Sequence, residues 1–212
     1  MKFFLFICYV ISTISIENYK NEIKKNDCEL LSQEWEKNKM ELIKKTSIFN
    51  QGSLLNKNEL IKIIIPEYVT YNKSQNILEC GIIKYYFFLN DLRYNTISIG
   101  PFQMQLSFIK KILSNASNEE LKIPLLINCK NNSDDYLINH LAELSEIDTQ
   151  WNILLQYEKF CIKNKILRER IDINRVISYY NSGFTKTKYK FFNKIRCKSM
   201  SYVEWSEYLF QL

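Results

Sequence analysis

Two glutamates in apolar surroundings are the residues of this sequence best suited to acid–base chemistry. Glu67 ends the apolar run LIKIIIPE at 60–67, and Glu79 lies between Leu78 and Cys80. A carboxylic acid can donate a proton near neutral pH when apolar surroundings favour its protonated form. Both residues are therefore candidate general acids, although either could instead be an ordinary carboxylate at the surface or at a helix cap.

Other kinds of catalytic or cofactor site have little support in the composition. The 212 residues include one histidine, His140, with no motif around it, and six cysteines without CxxC spacing. A Ser/His/Asp triad would depend on His140 alone, and the cysteine spacing disfavours a zinc site. No glycine-rich phosphate loop is present, which argues against a Rossmann or P-loop enzyme. We expect no metal and no cofactor, and we expect His140 to lie on the surface of a helix.

Two further motifs follow the glutamates along the chain. One is SIGPFQMQLS at 98–107, and the other is VISYYNSG at 176–183. The chain resembles the lytic transglycosylases and goose-type lysozymes in the order of three features. These are an apolar helix with a glutamate, a GPFQM segment and a YYNSG segment. In that superfamily the catalytic helix is followed by a Gly-Leu-Met-Gln-like turn and an Ala-Tyr-Asn-Ala-Gly-like helix end. The resemblance covers about 60–183 and also extends to a divergent subgroup of bacterial secreted proteins.

The resemblance implies a lysozyme-like helical domain with a substrate cleft and a muramidase activity on peptidoglycan. One glutamate acts first as acid and then as base, while the 6-hydroxyl of the sugar closes on the anomeric carbon. No nucleophilic carboxylate is then required, in contrast to the usual two-carboxylate glycosidase. Glu67 is the first candidate because it ends the apolar helix, whereas Glu79 has the more ordinary spacing to Gly100.

The same resemblance assigns roles to residues of the two downstream motifs. Ser98, Gly100 and Gln103 line the saccharide subsites. Tyr180 orients the catalytic glutamate, and Asn181 belongs to the same motif. The residues alone allow plainer interpretations: Ser98 and Gly100 at the start of a helix, Tyr180 in the core, and Asn181 as a helix C-cap.

The hydrophobic pattern predicts an all-α class, with at most a small β element between Asn90 and Gly100. Four glycines and three prolines are too few for the many turns of an all-β sandwich. Apolar residues recur at helical spacing, and polar residues that can cap helices precede several of these segments. We predict helices at 28–45, 58–69 with an interruption at Pro66, 75–89 with Ser74 as its cap, 102–113, 134–145, 148–168, 173–181 and 201–210, with 115–133 irregular.

The N-terminus has the pattern of a secretory signal. Met1 and Lys2 give a positive start, an apolar run occupies 3–14, and small residues follow up to Ser15. We predict a cleaved signal peptide at 1–15 and a periplasmic or extracellular location. An uncleaved anchor or a buried first helix is the alternative.

The mature chain is predicted to contain an N-terminal helical segment at 16–57 and the lysozyme-like domain at 58–212. Export exposes the five remaining cysteines to an oxidising compartment. Because the chain is long enough to build a core, we expect these cysteines to be buried thiols and not a disulfide framework.

The formal charge of +6 is modest, with a denser basic run at 186–198 that contains aromatic residues. Such a run can bind a polyanion, but it is more often a solvated helix face. For an exported protein we expect peptidoglycan glycan strands as the partner, no nucleic acid, and no integral membrane segment after signal cleavage. The alternative function is a non-catalytic module of the same fold that binds cell-wall glycan or a protein. An enzyme needs a carboxylate that faces Tyr180 and Gln103, whereas a binding module does not.

Overall fold

The protein is mostly helical, with one short antiparallel hairpin. The computed structural model describes residues 27–46, 54–168, 173–182 and 202–211. The all-α class is therefore confirmed; one strand of the hairpin lies within the predicted stretch from Asn90 to Gly100, and the other lies after it. The predicted signal peptide, Gly183 and the basic run at 186–198 lie outside the described residues. The elements in chain order are α1 (Asp27–Lys45), α2 (Lys57–Val69), α3 (Lys73–Phe88), a 3-10 helix (Leu92–Thr96), β1 (Ser98–Ile99), β2 (Met104–Gln105), α4 (Leu106–Asn115), α5 (Pro124–Asn131), α6 (Asp134–Asn139), α7 (Leu141–Leu144), α8 (Ile147–Lys163), α9 (Ile173–Ser182) and α10 (Tyr202–Gln211).

Helix α2, which contains Glu67, begins with a capping box. The Asn56 side chain accepts a hydrogen bond from the Glu59 backbone N–H at 2.9 Å, and the Glu59 carboxylate accepts one from the Asn56 N–H at 2.6 Å. This reciprocal pair satisfies two of the amide groups that a helix start leaves without partners. The helix then continues through Pro66 to Val69, so the predicted interruption is wrong.

A distant hydroxyl explains why α2 tolerates its proline. Pro66 has no N–H, so the carbonyl of Lys62, four residues earlier, loses its helical donor. The Ser206 hydroxyl of α10 donates to that carbonyl instead. The Tyr202 hydroxyl, also on α10, donates to the next carbonyl, that of Ile63, at 3.2 Å. Helix α10 therefore completes the hydrogen bonding of α2.

Two other helix starts differ from the prediction. Asn72, and not Ser74, caps α3, because its side-chain oxygen accepts from the Ser74 and Gln75 N–H groups at 2.9 and 3.2 Å. The segment 115–133, predicted to be irregular, contains α5. That helix opens with Pro124, which is favourable at a first helical position because the missing N–H would have had no partner there.

The predicted helix at 134–145 is divided at His140. The His140 backbone has φ −109° and ψ 26°, which is outside the helical region, so α6 ends and α7 starts there. The imidazole stacks on the Tyr136 ring with centroids 4.0 Å apart, and its Nδ1 lies 2.7 Å from the Tyr136 carbonyl oxygen. His140 is thus half-buried between two helices, and not on the surface of one helix as expected.

Helix α8 lies at the centre of the core. Trp151, Leu154 and Tyr157 are among its fully buried residues. The Tyr157 hydroxyl donates to the Val176 carbonyl at 2.8 Å and so fixes α9 against α8. The Tyr157 ring also packs on Phe108 of α4, with centroids 5.2 Å apart. These contacts hold α4 and α9 on the same central helix.

Three cysteines with described side chains, Cys80, Cys129 and Cys161, are free thiols. Burial raises the pKa of Cys129 to about 11 and that of Cys161 to about 12. These two thiols therefore stay protonated and act as small apolar side chains. Within the described ranges, no helix is both long and apolar enough to span a bilayer.

Candidate functional site

The GPFQ residues form the turn of the β1–β2 hairpin. Ile99 pairs with Met104 across the hairpin, and the Gln103 N–H donates to the Gly100 carbonyl at 3.0 Å. Gly100 has φ +70° and Gln103 has φ +52°, so both ends of the turn adopt left-handed backbone conformations. The segment is therefore not a helix start. Ser98 lies in a strand, and helix α4 begins only at Leu106, four residues later than predicted.

Glycine is the only residue type that fits at position 100. A Cβ atom there would lie 2.2 Å from Nε2 of Gln150, which is far inside contact distance. The positive φ independently favours glycine. The Gly100 N–H donates to the side-chain oxygen of Asn76 on α3 at 2.6 Å. The turn is thus held between α3 and α8.

Gln150 holds both sides of the turn. Its side chain is fully buried. Its Nε2 donates to the Ile99 carbonyl at 2.7 Å, and its Oε1 accepts from the Phe102 N–H at 2.8 Å. One amide therefore satisfies two buried backbone groups that the short hairpin leaves without ladder partners.

Sequence reasoning missed Gln150 and Asn76, although a signal for both was present. Gln150 lies four residues before Leu154 and therefore on the buried face of α8. Asn76 shares the buried face of α3 with Glu79 and Ile83. A primary amide on a buried helix face needs hydrogen-bond partners, and backbone groups of a tight turn are frequent ones.

Tyr180 brings the third motif to the same turn. Its hydroxyl donates to the Phe102 carbonyl at 2.6 Å. Its ring packs edge-on against Phe108, with centroids 5.3 Å apart. Burial raises the pKa of Tyr180 well above its ordinary value, and the negative charge of Glu67 raises it further. The hydroxyl therefore stays protonated and remains a donor at ordinary pH.

Glu67 lies at the end of α2 beside this arrangement. Glu67 is only 8 % exposed. The next residue, Tyr68, packs edge-on against Phe102 with centroids 6.4 Å apart, and burial raises the pKa of Tyr68 to about 12. Helix α2 packs against α9, the helix that contains Tyr180. Phe102 of the second motif therefore contacts both Tyr180 of the third motif and Tyr68, the residue that follows Glu67.

Glu79 is also buried, at 4 % exposure, and lies on α3. Its Oε1 accepts a hydrogen bond from Gln75 at 2.9 Å, one turn earlier on α3. Burial raises the pKa of Tyr71, and the charges of Cys80, Glu146 and Glu79 add to that effect. Glu79 thus acts on Tyr71, whereas Glu67 acts on Tyr180. The plainer interpretation, an ordinary carboxylate at the surface or at a helix cap, is therefore wrong for both glutamates.

The remaining candidate residues differ in their placement. The Gln103 side chain is half-buried, and its Nε2 donates to the Gly100 carbonyl at 2.9 Å, so it supports the turn itself. Ser98 is half-buried in β1. Asn181 is exposed on α9 and therefore lies apart from the buried cluster.

The chemistry open to this arrangement is proton transfer by a buried carboxylate next to a fixed peptide turn. In the portion of the chain that the structure describes, no group of three or more His, Cys, Asp or Glu residues could hold a metal ion. Comparison with protein-family models, with curated proteins and with solved structures finds no match for this chain. The functional interpretation therefore depends on the geometry around Glu67, Phe102 and Tyr180.

Proposed function

We propose that the protein is an exported, peptidoglycan-cleaving muramidase of the lytic transglycosylase type, with a lysozyme-like fold. The observation that supports this proposal is the packing of α2, which contains buried Glu67, against α9, whose Tyr180 hydroxyl donates to the Phe102 carbonyl of the GPFQ turn. The order of the three segments in the sequence and their contact in space agree with the same type of site.

In the proposed reaction Glu67 is the single acid and base. Its carboxyl proton goes to the glycosidic oxygen as the bond to the anomeric carbon breaks. The resulting carboxylate then takes the proton of the sugar's 6-hydroxyl, whose oxygen closes on the anomeric carbon. The product is a 1,6-anhydro sugar, and Glu67 ends protonated, as it began. Tyr180 is a positioning residue, because it fixes the turn next to the acid and does not transfer a proton.

Glu79 is the second candidate for the acid. It is buried on α3, one helical turn after Asn76, which binds the Gly100 N–H. Its position near the same hairpin keeps it within the proposal. Glu67 is preferred because its helix, α2, packs against α9, the helix of the third motif.

Parallel Glu67→Gln and Glu79→Gln variants test the assignment on purified sacculi. The amide keeps the shape of the side chain but cannot donate the proton, so loss of a general acid lowers the rate by about 10²–10⁴-fold. We expect this loss for Glu67→Gln, with an unchanged thermal midpoint. The exposed Glu119 provides the matched control, Glu119→Gln.

The masses of the products distinguish a transglycosylase from a hydrolase. Anhydro products lighter by one water than the hydrolysis products support the transglycosylase reaction, and the heavier products indicate hydrolysis. Full activity of Glu67→Gln together with loss in Glu79→Gln would transfer the role to Glu79.

A non-catalytic module is the second candidate function, and one observation favours it. The polar groups of the turn are bound within the protein, by Gln150, Asn76 and Tyr180. Such a module would sediment with insoluble sacculi but release no soluble fragments. If the wild-type protein behaves in this way, the catalytic proposal fails and the module remains.

A further inference from the structure

Helix α3 exposes several of its large apolar residues. Its three buried residues are Asn76, Glu79 and Ile83, two of which are polar. Ile82, Tyr86 and Phe87 are half-buried against the core, whereas a further set of large apolar residues is exposed, which is unusual for an amphipathic helix. We name six of them, each at least 41 % exposed, the apolar stripe: Ile77, Leu78, Tyr85, Phe88, Leu89 and, in the following 3-10 helix, Leu92.

The apolar stripe is continuous along one face. At 100° per residue, positions 77, 81, 85 and 88 fall on the same side of α3. Gly81 lies among them, and no atom is within 4 Å of the place where its Cβ would be, so this part of the surface is open. Phe88 and Leu92 are both 76 % exposed. Monomers rarely expose an apolar patch larger than about 300–600 Å² without a function for it.

The exposed charged residues of α3 itself are basic. Lys73 and Lys84 are exposed on α3, whose single carboxylate, Glu79, is buried. Arg93, next to Leu92, pairs with Asp91.

Neighbouring helix α6 contributes two acids to this region. Asp134 is ion-paired with Lys110 at 2.6 Å, and Asp135 is exposed. A second copy of the chain packed on the same face would bring like-charged lysines together. A surface with negative charge and an apolar layer beneath it matches the face better.

We propose that the apolar stripe binds the surface of an anionic lipid bilayer. The six apolar side chains enter the boundary between headgroups and acyl chains, and Lys73 and Lys84 contact lipid phosphates. The binding is peripheral and is independent of the proposed catalytic function. Because Asn76 and Glu79 are on the opposite face of α3, the membrane lies on the side of the helix away from the hairpin.

Sedimentation of the full chain with vesicles tests the proposal. Vesicles of phosphatidylcholine with 30 % phosphatidylglycerol are compared with vesicles of phosphatidylcholine alone. We expect binding mainly to the anionic vesicles. The double variant Phe88→Asn/Leu92→Asn removes apolar surface that has no packing role, and we expect its affinity to fall by about tenfold or more.

Matched variants separate the apolar stripe from other parts of the chain. Met40, 68 % exposed on α1, gives the control Met40→Asn, which is expected to bind as the wild type does. Lys84→Glu is expected to lower affinity by about fivefold or more, since one basic residue near an anionic surface contributes about 1 kcal/mol. The exposed Lys44 provides its control, Lys44→Glu, with the same change in net charge.

The same measurements can overturn the proposal. Equal binding to both vesicle types, or unchanged binding of Phe88→Asn/Leu92→Asn, would show that another segment binds lipid or that charge has no part. No binding to vesicles, together with a dimer that Phe88→Asn/Leu92→Asn dissociates in analytical ultracentrifugation, would show that a second copy covers the apolar stripe. No binding by a monomeric wild type would leave the face without a lipid role. Circular dichroism confirms that each variant is folded.

Discussion

The hairpin is predicted to depend on the single amide of Gln150. Gln150→Leu keeps the approximate volume but removes the hydrogen bonds to the Ile99 carbonyl and the Phe102 N–H. A buried backbone group without a partner costs about 1–3 kcal/mol, so two of them lower the free energy of unfolding by about 2–6 kcal/mol. With an m-value of about 2 kcal/mol/M in urea, the unfolding midpoint falls by about 1–3 M.

Urea titration followed by far-ultraviolet circular dichroism measures this change. Gln33→Leu, at an exposed position on α1, is the control and should change the free energy by less than about 0.5 kcal/mol. A Gln150→Leu midpoint equal to that of the control would refute the reasoning, since it would mean that the turn does not need these hydrogen bonds.

A double-mutant cycle with Gly100 tests the same contact independently. Gly100→Ala places a Cβ 2.2 Å from Nε2 of Gln150. Part of the free-energy cost of Gly100→Ala comes from this overlap, and Gln150→Ala removes it. The cost of placing alanine at a positive φ remains. We expect a coupling free energy of about 0.5–3 kcal/mol in the direction of relief. Additive effects of Gly100→Ala and Gln150→Ala would mean that the two residues do not share a contact.

Two further predictions concern other contacts. Ser206→Ala leaves the Lys62 carbonyl without its donor and should lower the free energy of unfolding by about 1–3 kcal/mol, with the exposed Ser178→Ala as a neutral control in the same urea titration. The hydrogen bond from the Ser117 N–H holds the pKa of Glu120 below its usual value. The Glu120 carboxylate therefore stabilises the fold at pH values above its unfolded-state pKa of about 4.5. This contribution is lost as the pH falls through the lower pKa of the folded state. The stability difference between wild type and Glu120→Gln should therefore be present at pH 7 and decrease as the pH falls below about 4.5, and a difference that is constant with pH would contradict this prediction.

Local patterns were sufficient for most helices but not for the turn between β1 and β2. Apolar spacing located α1, α8 and α9 to within a few residues, because apolar residues recur at helical spacing in all three. The stretch from Phe102 to Gln105 was wrongly predicted as helical. Its apolar residues are compatible with either period. The turn is held through Gly100 and Phe102 by distant side chains, those of Asn76, Gln150 and Tyr180, which a short window of sequence does not include.

The distant partners explain the other differences. The proline rule predicted a break in α2 at Pro66, since the rule considers only the helix itself. The group that replaces the lost donor, Ser206, is on another helix. The sequence distinguishes the two candidate glutamates only by the apolar helix that ends at Glu67 and by their spacing to Gly100. The packing of α9 against α2 joins distant segments of the chain, and it places Tyr180 on the helix next to the one that contains Glu67.

The hydrogen bond from Ser206 to Lys62 also has a consequence for the order of synthesis. The two residues are 144 positions apart in the chain. At the usual elongation rates of about 5–20 residues per second, Lys62 is added to the chain about 7–30 s before Ser206. During that interval the Lys62 carbonyl lacks the donor that replaces the missing N–H of Pro66. The helix that contains Glu67 is therefore completed only after α10 has been translated, and a stop codon before position 206 would leave it without the partner that its proline requires.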